Sequence, residues 1–179
     1  MKIDRIVNSV LEENTYILEK DNNVLIIDPG SDGDIIKEKV KDKKIDGILI
    51  THKHFDHVGS LSIFKEYNIY SYDNLEEKEY IIGNFIFDVI YNPGHSGDSI
   101  SFYFKKDNIL FSGDFIFKDS IGRVDLPTGN NNDMIDSIIK ISKYPKDMII
   151  YPGHGESTTL GYEIENNIYF RRILNGRDS

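Results

Sequence analysis

The chain's five histidines, His52, His54, His57, His95 and His154, all fall in three short segments, and no other feature limits its folding so tightly. These are Thr51-His52-Lys53-His54-Phe55-Asp56-His57, Pro93-Gly94-His95-Ser96 and Pro152-Gly153-His154-Gly155. Neutral imidazole offers a nitrogen lone pair at physiological pH, which makes histidine the commonest metal ligand. Residues two apart in an extended loop project to one side, so His52 and His54 can reach the same ion. Asp56 and His57 sit on a turn opening the next helix, displaced enough to serve a second ion. His95 follows a Pro-Gly turn and can supply the first site's third nitrogen. Asp114, closing Phe111-Ser112-Gly113-Asp114, brings a carboxylate that can bridge two metals, and His154 can complete the second site. Three protein ligands plus a bridge leave an open position, the mark of a catalytic rather than a structural site. Any fold for this chain must bring these distant segments to one point.

The remaining pattern suggests how. Residues 2–7, 14–19 and 23–28 read as strands, separated by the turn residues Glu12-Glu13-Asn14 and Lys20-Asp21-Asn22-Asn23. Ser31 or Asp32 can cap a helix running to about Lys43, and Asp46–Ile50 is a short buried strand that delivers the histidine cluster. Helical spacing spans His57 to Tyr67, followed by a strand at Ile69–Tyr72. Further strands are predicted at 80–82, 85–91, 99–104, 108–112 and Met148–Tyr151, with a helix at Asn132–Ser142 and a second helix or turn around Glu163–Leu174. Two successive runs of strands then helices predict an α/β protein built as a four-layer αββα sandwich. The ligand segments lie at strand ends, where open sheets place their sites.

Composition narrows the chemistry. There is no cysteine, so the donors must be histidine and carboxylate, a set suited to zinc first and to iron or manganese as well. A net charge of -9 argues against nucleic acid or an anionic membrane as partner. The N-terminal residues lack the apolar run of a signal peptide and no stretch is long enough to span a membrane, so a cytoplasmic protein is expected. No linker or repeat interrupts residues 1–179, which are expected to form a single domain.

The His-x-His-x-Asp-His run, the later Gly-His, the Ser-Gly-Asp and the Pro-Gly-His-Gly together resemble the metallo-β-lactamase superfamily, in that family's order and over nearly the whole chain. By that resemblance His52, His54 and His95 hold one metal and Asp56, His57 and His154 the other. Asp114 bridges them, and a hydroxide between the two ions is the nucleophile, with Asp56 or Asp114 orienting it and carrying its proton. Asp28 matches the acidic residue that supports the histidine loop from behind, although turn chemistry before Pro29-Gly30 explains it equally well. Within the superfamily, Tyr151–Gly161 and Ser120–Asp125 look like short glyoxalase II-like (hydroxyacylglutathione hydrolase) members. That implies hydrolysis of a thioester of the S-D-lactoylglutathione type, or of a similar small thioester or ester.

The resemblance also has gaps. The chain is too short for the C-terminal helical domain with which two-domain glyoxalase II enzymes bind glutathione, and offers only Arg171, Arg172 and Arg177 as cations beyond His154. The family's Gly-His-Thr-Pro-Gly-Ser appears as Gly94-His95-Ser96-Gly97-Asp98-Ser99, which alters the loop but keeps the ligand. Ser99 either orients His95 or caps a turn. Arg123 either contacts substrate or pairs with Asp125 to hold a loop, and Lys53 points to solvent. Three alternatives accompany the thioesterase. One is a persulfide dioxygenase with a single Fe(II) on His52 or its neighbours, His95 and Asp114. The others are a lactonase and a metal-stabilised binding module without turnover. The zinc β-lactamases of the two commoner subclasses need a cysteine ligand. Flavodiiron relatives carry Glu where Lys53 stands.

Overall fold

The computed structural model describes residues 1–176. A five-stranded sheet runs in the order β1 (Lys2–Val7), β2 (Asn14–Lys20), β3 (Asn23–Ile27), β4 (Lys44–Leu49) and β5 (Ile69–Tyr70). A six-stranded sheet packs against it, ordered β13 (Thr158–Thr159), β12 (Ile149–Pro152), β9 (Ile109–Gly113), β8 (Ile100–Phe104), β7 (Phe85–Tyr91) and β6 (Glu79–Ile82). A small hairpin, β10 (Ile116–Phe117) with β11 (Ser120–Ile121), follows β9.

Strand alternation builds the layers. Leu18, Leu25, Ile27 and Leu49 face the second sheet and meet Phe87, Phe102 and Phe111 in the central core. Their neighbours Ile17, Val24, Ile26 and Ile48 point the other way, onto Ile36 and Val40 of α1 (Gly33–Val40) and onto Phe64. On the far face of the second sheet, Ile90, Leu110 and Ile150 pack against three helices. These are α3 (Asn131–Ile141), α4 (Leu160–Asn166) and α5 (Ile168–Asn175), which contribute Met134, Ile138, Leu160 and Phe170. Central strands covered on both faces read as continuous apolar runs rather than alternating ones. Each large side chain buried in this way stabilises the fold by ~1.5–3 kcal/mol. The result is the expected αββα sandwich. No helix among the described residues is long and apolar enough to cross a membrane.

Three helices depart from the sequence pattern. The predicted His57–Tyr67 helix is a single turn, α2 (Phe55–Val58), followed by a separate 3₁₀ turn at Leu61–Phe64. The break has a cause: the Ser60 N–H donates to the Pro29 carbonyl at 3.0 Å instead of continuing the helical ladder. The C-terminal amphipathic stretch is likewise split at Asn167. Its buried side chain accepts the Tyr169 N–H at 3.0 Å and donates to the Ser120 carbonyl at 3.0 Å, capping α5 and docking it to β11. The helix predicted to reach Lys43 stops at Val40.

Candidate metal centre

β3 and β4 run parallel in the first sheet, and β7, β9 and β12 run in one direction in the second. Their C-terminal ends therefore open on one edge of the sandwich, where the four ligand-bearing segments meet. Ligand atoms of His52, His54 and His95 lie within 4.8 Å of one another, as do those of Asp56, His57 and His154. A third such group, His52, His57 and Asp114, joins the two. Asp114 stands between them: Oδ1 is 3.2 Å from His57 Nε2, and Oδ2 is 3.5 Å from both His95 Nε2 and His154 Nε2. Asp56 Oδ2 lies 3.2 Å from His154 Nε2. All seven residues singled out as ligands in the sequence are brought together.

The surrounding protein aims the rings. The Nδ1–H of His57 donates to Asp28 Oδ2 at 2.9 Å, which turns its Nε2 lone pair toward Asp114. Thr51 Oγ1 donates to the same Asp28 oxygen at 2.6 Å and lies 3.1 Å from His52 Nδ1, so Asp28 orients His52 through Thr51. His95 Nδ1 donates to the Arg123 carbonyl at 2.8 Å, and His154 Nδ1 to the Leu11 carbonyl at 3.0 Å. Four imidazoles thus have their outer nitrogen held by a protein oxygen and their inner nitrogen turned to the centre. Asp28 adopts φ 49, a left-handed conformation that Asp tolerates better than most residues. Its contacts show the supporting role as well as the turn.

The donor set fits a pair of cations. His57 Nε2 and Asp114 Oδ1 are buried and, although close, make no hydrogen bond to each other or to anything else among the described residues. Burial would cost such atoms dearly without a partner. Burial lowers the basicity of His57, but the carboxylates of Asp114 and Asp28 on either side outweigh it and hold the ring well above its ordinary value. A field that favours a proton there favours a divalent cation equally. Burial, reinforced by neighbouring imidazoles, keeps His52 and His54 below the usual histidine range, so their lone pairs are free. Burial pushes the carboxyls of Asp56 and Asp114 up, yet adjacent histidines bring both below the usual range and keep them ionised. Close approach needs glycine: a Cβ on Gly153 would stand 2.2 Å from Asp114 Oδ1 and 2.6 Å from His57 Cε1.

The other candidates divide. Ser99 Oγ accepts the Ser96 N–H at 3.3 Å and pairs with Ser96 Oγ, shaping the loop rather than touching a ligand. The Arg123 side chain forks onto Asp125, and only its backbone oxygen serves the centre. Lys53 is exposed beside the site, as expected, and its ammonium binds Asp73 at 2.7 Å. Arg171 and Arg172 line a separate groove along α5, and Arg177 lies outside the described residues.

Glu13 and Asn14, read from the sequence as turn residues, are both buried. Asn14 Nδ2 donates to the carbonyls of Pro152 and Gly155 at 3.0 and 2.9 Å, clamping the His154 loop. Glu13 Oε2 accepts from Asn8 at 2.7 Å, Oε1 faces His57 Nδ1 at 3.8 Å, and burial pushes its carboxyl up to about 10. A polar pair before an apolar strand was the available signal, and turn chemistry explains such a pair equally well.

A cleft of about 970 Å³ opens above the cluster. A sequence profile of the metallo-β-lactamase superfamily matches residues 9–88 and 70–154. The chain is 34% identical to a probable metallo-hydrolase of Streptococcus pyogenes, over 95% of this chain and 90% of that protein. It is 35% identical to the hydroxyacylglutathione hydrolase of Francisella philomiragia, over 83% of this chain but only 65% of that enzyme. Among solved structures, the B3 metallo-β-lactamase BLEG-1 superposes with a TM-score of 0.89 at 31% identity, over 94% of this chain and 99% of that one. TTHA1623, solved in a di-iron-bound form, superposes with a TM-score of 0.84 at 29% identity, over 93% and 99%. Ligand geometry, layer order and sequence agree, and the chain belongs to the metallo-β-lactamase superfamily.

Proposed function

We propose that this protein is a binuclear metal-dependent hydrolase acting on a small thioester, of which S-D-lactoylglutathione is the type. The observation that carries the reading is Asp114, whose two oxygens face both histidine groups at the floor of an open cleft. His52, His54 and His95 would hold one ion and Asp56, His57 and His154 the other, with Asp114 shared. Zinc leads among the candidates, and the di-iron relative keeps iron in view. Bound ions of this kind lower the pKa of a coordinated water toward ~7 and polarise a carbonyl.

The chain's own groups supply the rest. Asp56 and Asp114, ionised and facing the cleft, can orient the attacking water and accept its proton. Asp28, Thr51 and the carbonyls of Leu11 and Arg123 hold the imidazoles against rotation. Water adds to the thioester carbon, the carbon–sulfur bond breaks, and the products are a carboxylic acid and a thiol. A thiol has a pKa of ~8.5 and leaves as thiolate without a dedicated acid, so a thioester asks no proton donor of this site. The resemblance to a hydroxyacylglutathione hydrolase supports the same choice.

A thiol-release assay on S-D-lactoylglutathione tests this with protein stripped by chelator and reloaded with zinc, iron or manganese. Metal-dependent release of thiol is expected. No release with any metal, accompanied by oxygen uptake on glutathione persulfide or by opening of a β-lactam, would replace the thioesterase reading.

A further inference from the structure

The cleft above the centre has an unusual balance of charge and apolar surface. Two cations line it, Lys53 and Arg123, and each arrives with its own counter-ion. Lys53 Nζ is bound to Asp73 at 2.7 Å. Arg123 makes a two-pronged contact, Nε to Asp125 Oδ1 and Nη2 to Oδ2, both at 2.7 Å. This planar fork is the geometry in which Arg binds a carboxylate most effectively. It holds the Asp125 carboxyl at about 2. Asp98 adds further negative charge to the same walls.

The rim is apolar. Phe55 is 67% exposed, Leu11 58% and Tyr72 41%, and all three line the cleft. Leu126 and Pro127 also line it. Single exposed apolar side chains are ordinary on a protein surface; several gathered on one concave site mark a ligand surface. Two of them are fixed by the centre itself. Phe55 lies between the candidate ligands His54 and Asp56. Leu11 sits in the left-handed region at φ 59 while its carbonyl holds His154 Nδ1, so the loop that orients the histidine also sets Leu11 at the cleft. Such strain persists where the surroundings over-determine it.

We propose that the preferred substrate carries an apolar, uncharged leaving group, an alkyl or aryl thiol, rather than glutathione. Glutathione's two carboxylates meet cations already paired, and with only one ammonium against them the leaving group keeps a net negative charge beside Asp98. A phenyl or short alkyl group meets Phe55, Leu11 and Tyr72. This deepens the hydrolase reading and rests on it.

The test compares matched lactoyl thioesters on zinc-loaded protein, one of glutathione and one of 2-phenylethanethiol. The expected kcat/KM is about tenfold or more higher for the phenylethyl ester, the discrimination that burial of a small apolar group supplies. Phe55→Ala is expected to shrink that ratio through KM. Asp125→Asn, which frees the Arg123 fork, is expected to lower KM for lactoylglutathione several-fold. Equal rates, or a preference for the glutathione ester, would overturn the proposal. If neither ester is cleaved, the hydrolase reading fails by itself, and calorimetric binding of the two free thiols to zinc-loaded protein decides the subsite. Tighter binding of 2-phenylethanethiol than of glutathione supports it; equal or weaker binding overturns it.

Discussion

Asp28 illustrates how much of this centre depends on residues that need touch no metal. Its carboxylate takes the Thr51 N–H at 2.8 Å, the Thr51 hydroxyl at 2.6 Å and the His57 ring at 2.9 Å, so one side chain fixes two of the imidazoles. Outer partners of this kind are worth 10–100-fold in metal affinity. Asp28→Ala is therefore expected to weaken zinc binding by roughly that factor in a competition titration against a chromophoric chelator; unchanged affinity would remove Asp28 from the centre. Arg123 makes the opposite case. Its guanidinium is exposed and occupied by Asp125, while the carbonyl that holds His95 belongs to the backbone. Arg123→Ala should leave zinc content and melting temperature unchanged. A loss of zinc would show that the side chain, not the carbonyl, positions His95.

At the scale of elements, the centre depends on a strap. The loop joining β1 to β2 is bound to the loop after β12 by Asn14 Nδ2, by the Asn14 N–H to the Gly153 carbonyl at 2.7 Å, and by the Leu11 carbonyl on His154. Removing the Asn14 amide takes one of two donors from each carbonyl, since Pro152 keeps Tyr16 Oη and Gly155 keeps Arg5 Nη1, and costs ~0.5–1.5 kcal/mol per bond lost. Asn14→Ala is expected to weaken the second metal, the one served by His154, more than the first. Stepwise release by a chelator reads this directly, and equal weakening of both ions would contradict it. The strap also shows what the sequence made legible. The ligands declared themselves because five histidines in motif order have few other uses. The sheets did so because strands buried on both faces must be apolar. Glu13, Asn14 and Thr51 did not: polar residues beside a strand end look the same whether they form a turn or bind a loop far away in sequence. The splits at Ser60 and Asn167 were hidden for a related reason. Each depends on a tertiary partner, the Pro29 carbonyl in one case and the Ser120 carbonyl in the other, that helical periodicity does not register.

For the molecule as a whole, the centre trades stability for function. Glu13 is buried against His57 with one oxygen lacking a hydrogen bond, and keeps its proton to about pH 10. In the unfolded chain the same carboxyl ionises near pH 4.5. Above that pH the unfolded state sheds a proton that the folded state retains, so the contribution Glu13 makes below pH 4.5 drains away as pH rises toward 10. Glu13→Gln removes the titration but keeps the shape. Metal-stripped variant is expected to be ~1–3 kcal/mol more stable than the native chain at pH 8, with a flatter stability curve between pH 5 and 9. Parallel curves in urea unfolding would show that Glu13 does not hold its proton.

The proposed hydrolase needs two ions sharing Asp114 between the His52–His54–His95 group and the Asp56–His57–His154 group. Native mass spectrometry of the protein titrated with zinc counts them directly. The predicted result is saturation at two zinc ions per chain. Saturation at a single ion would contradict the binuclear centre and leave half of these ligands without the role assigned to them.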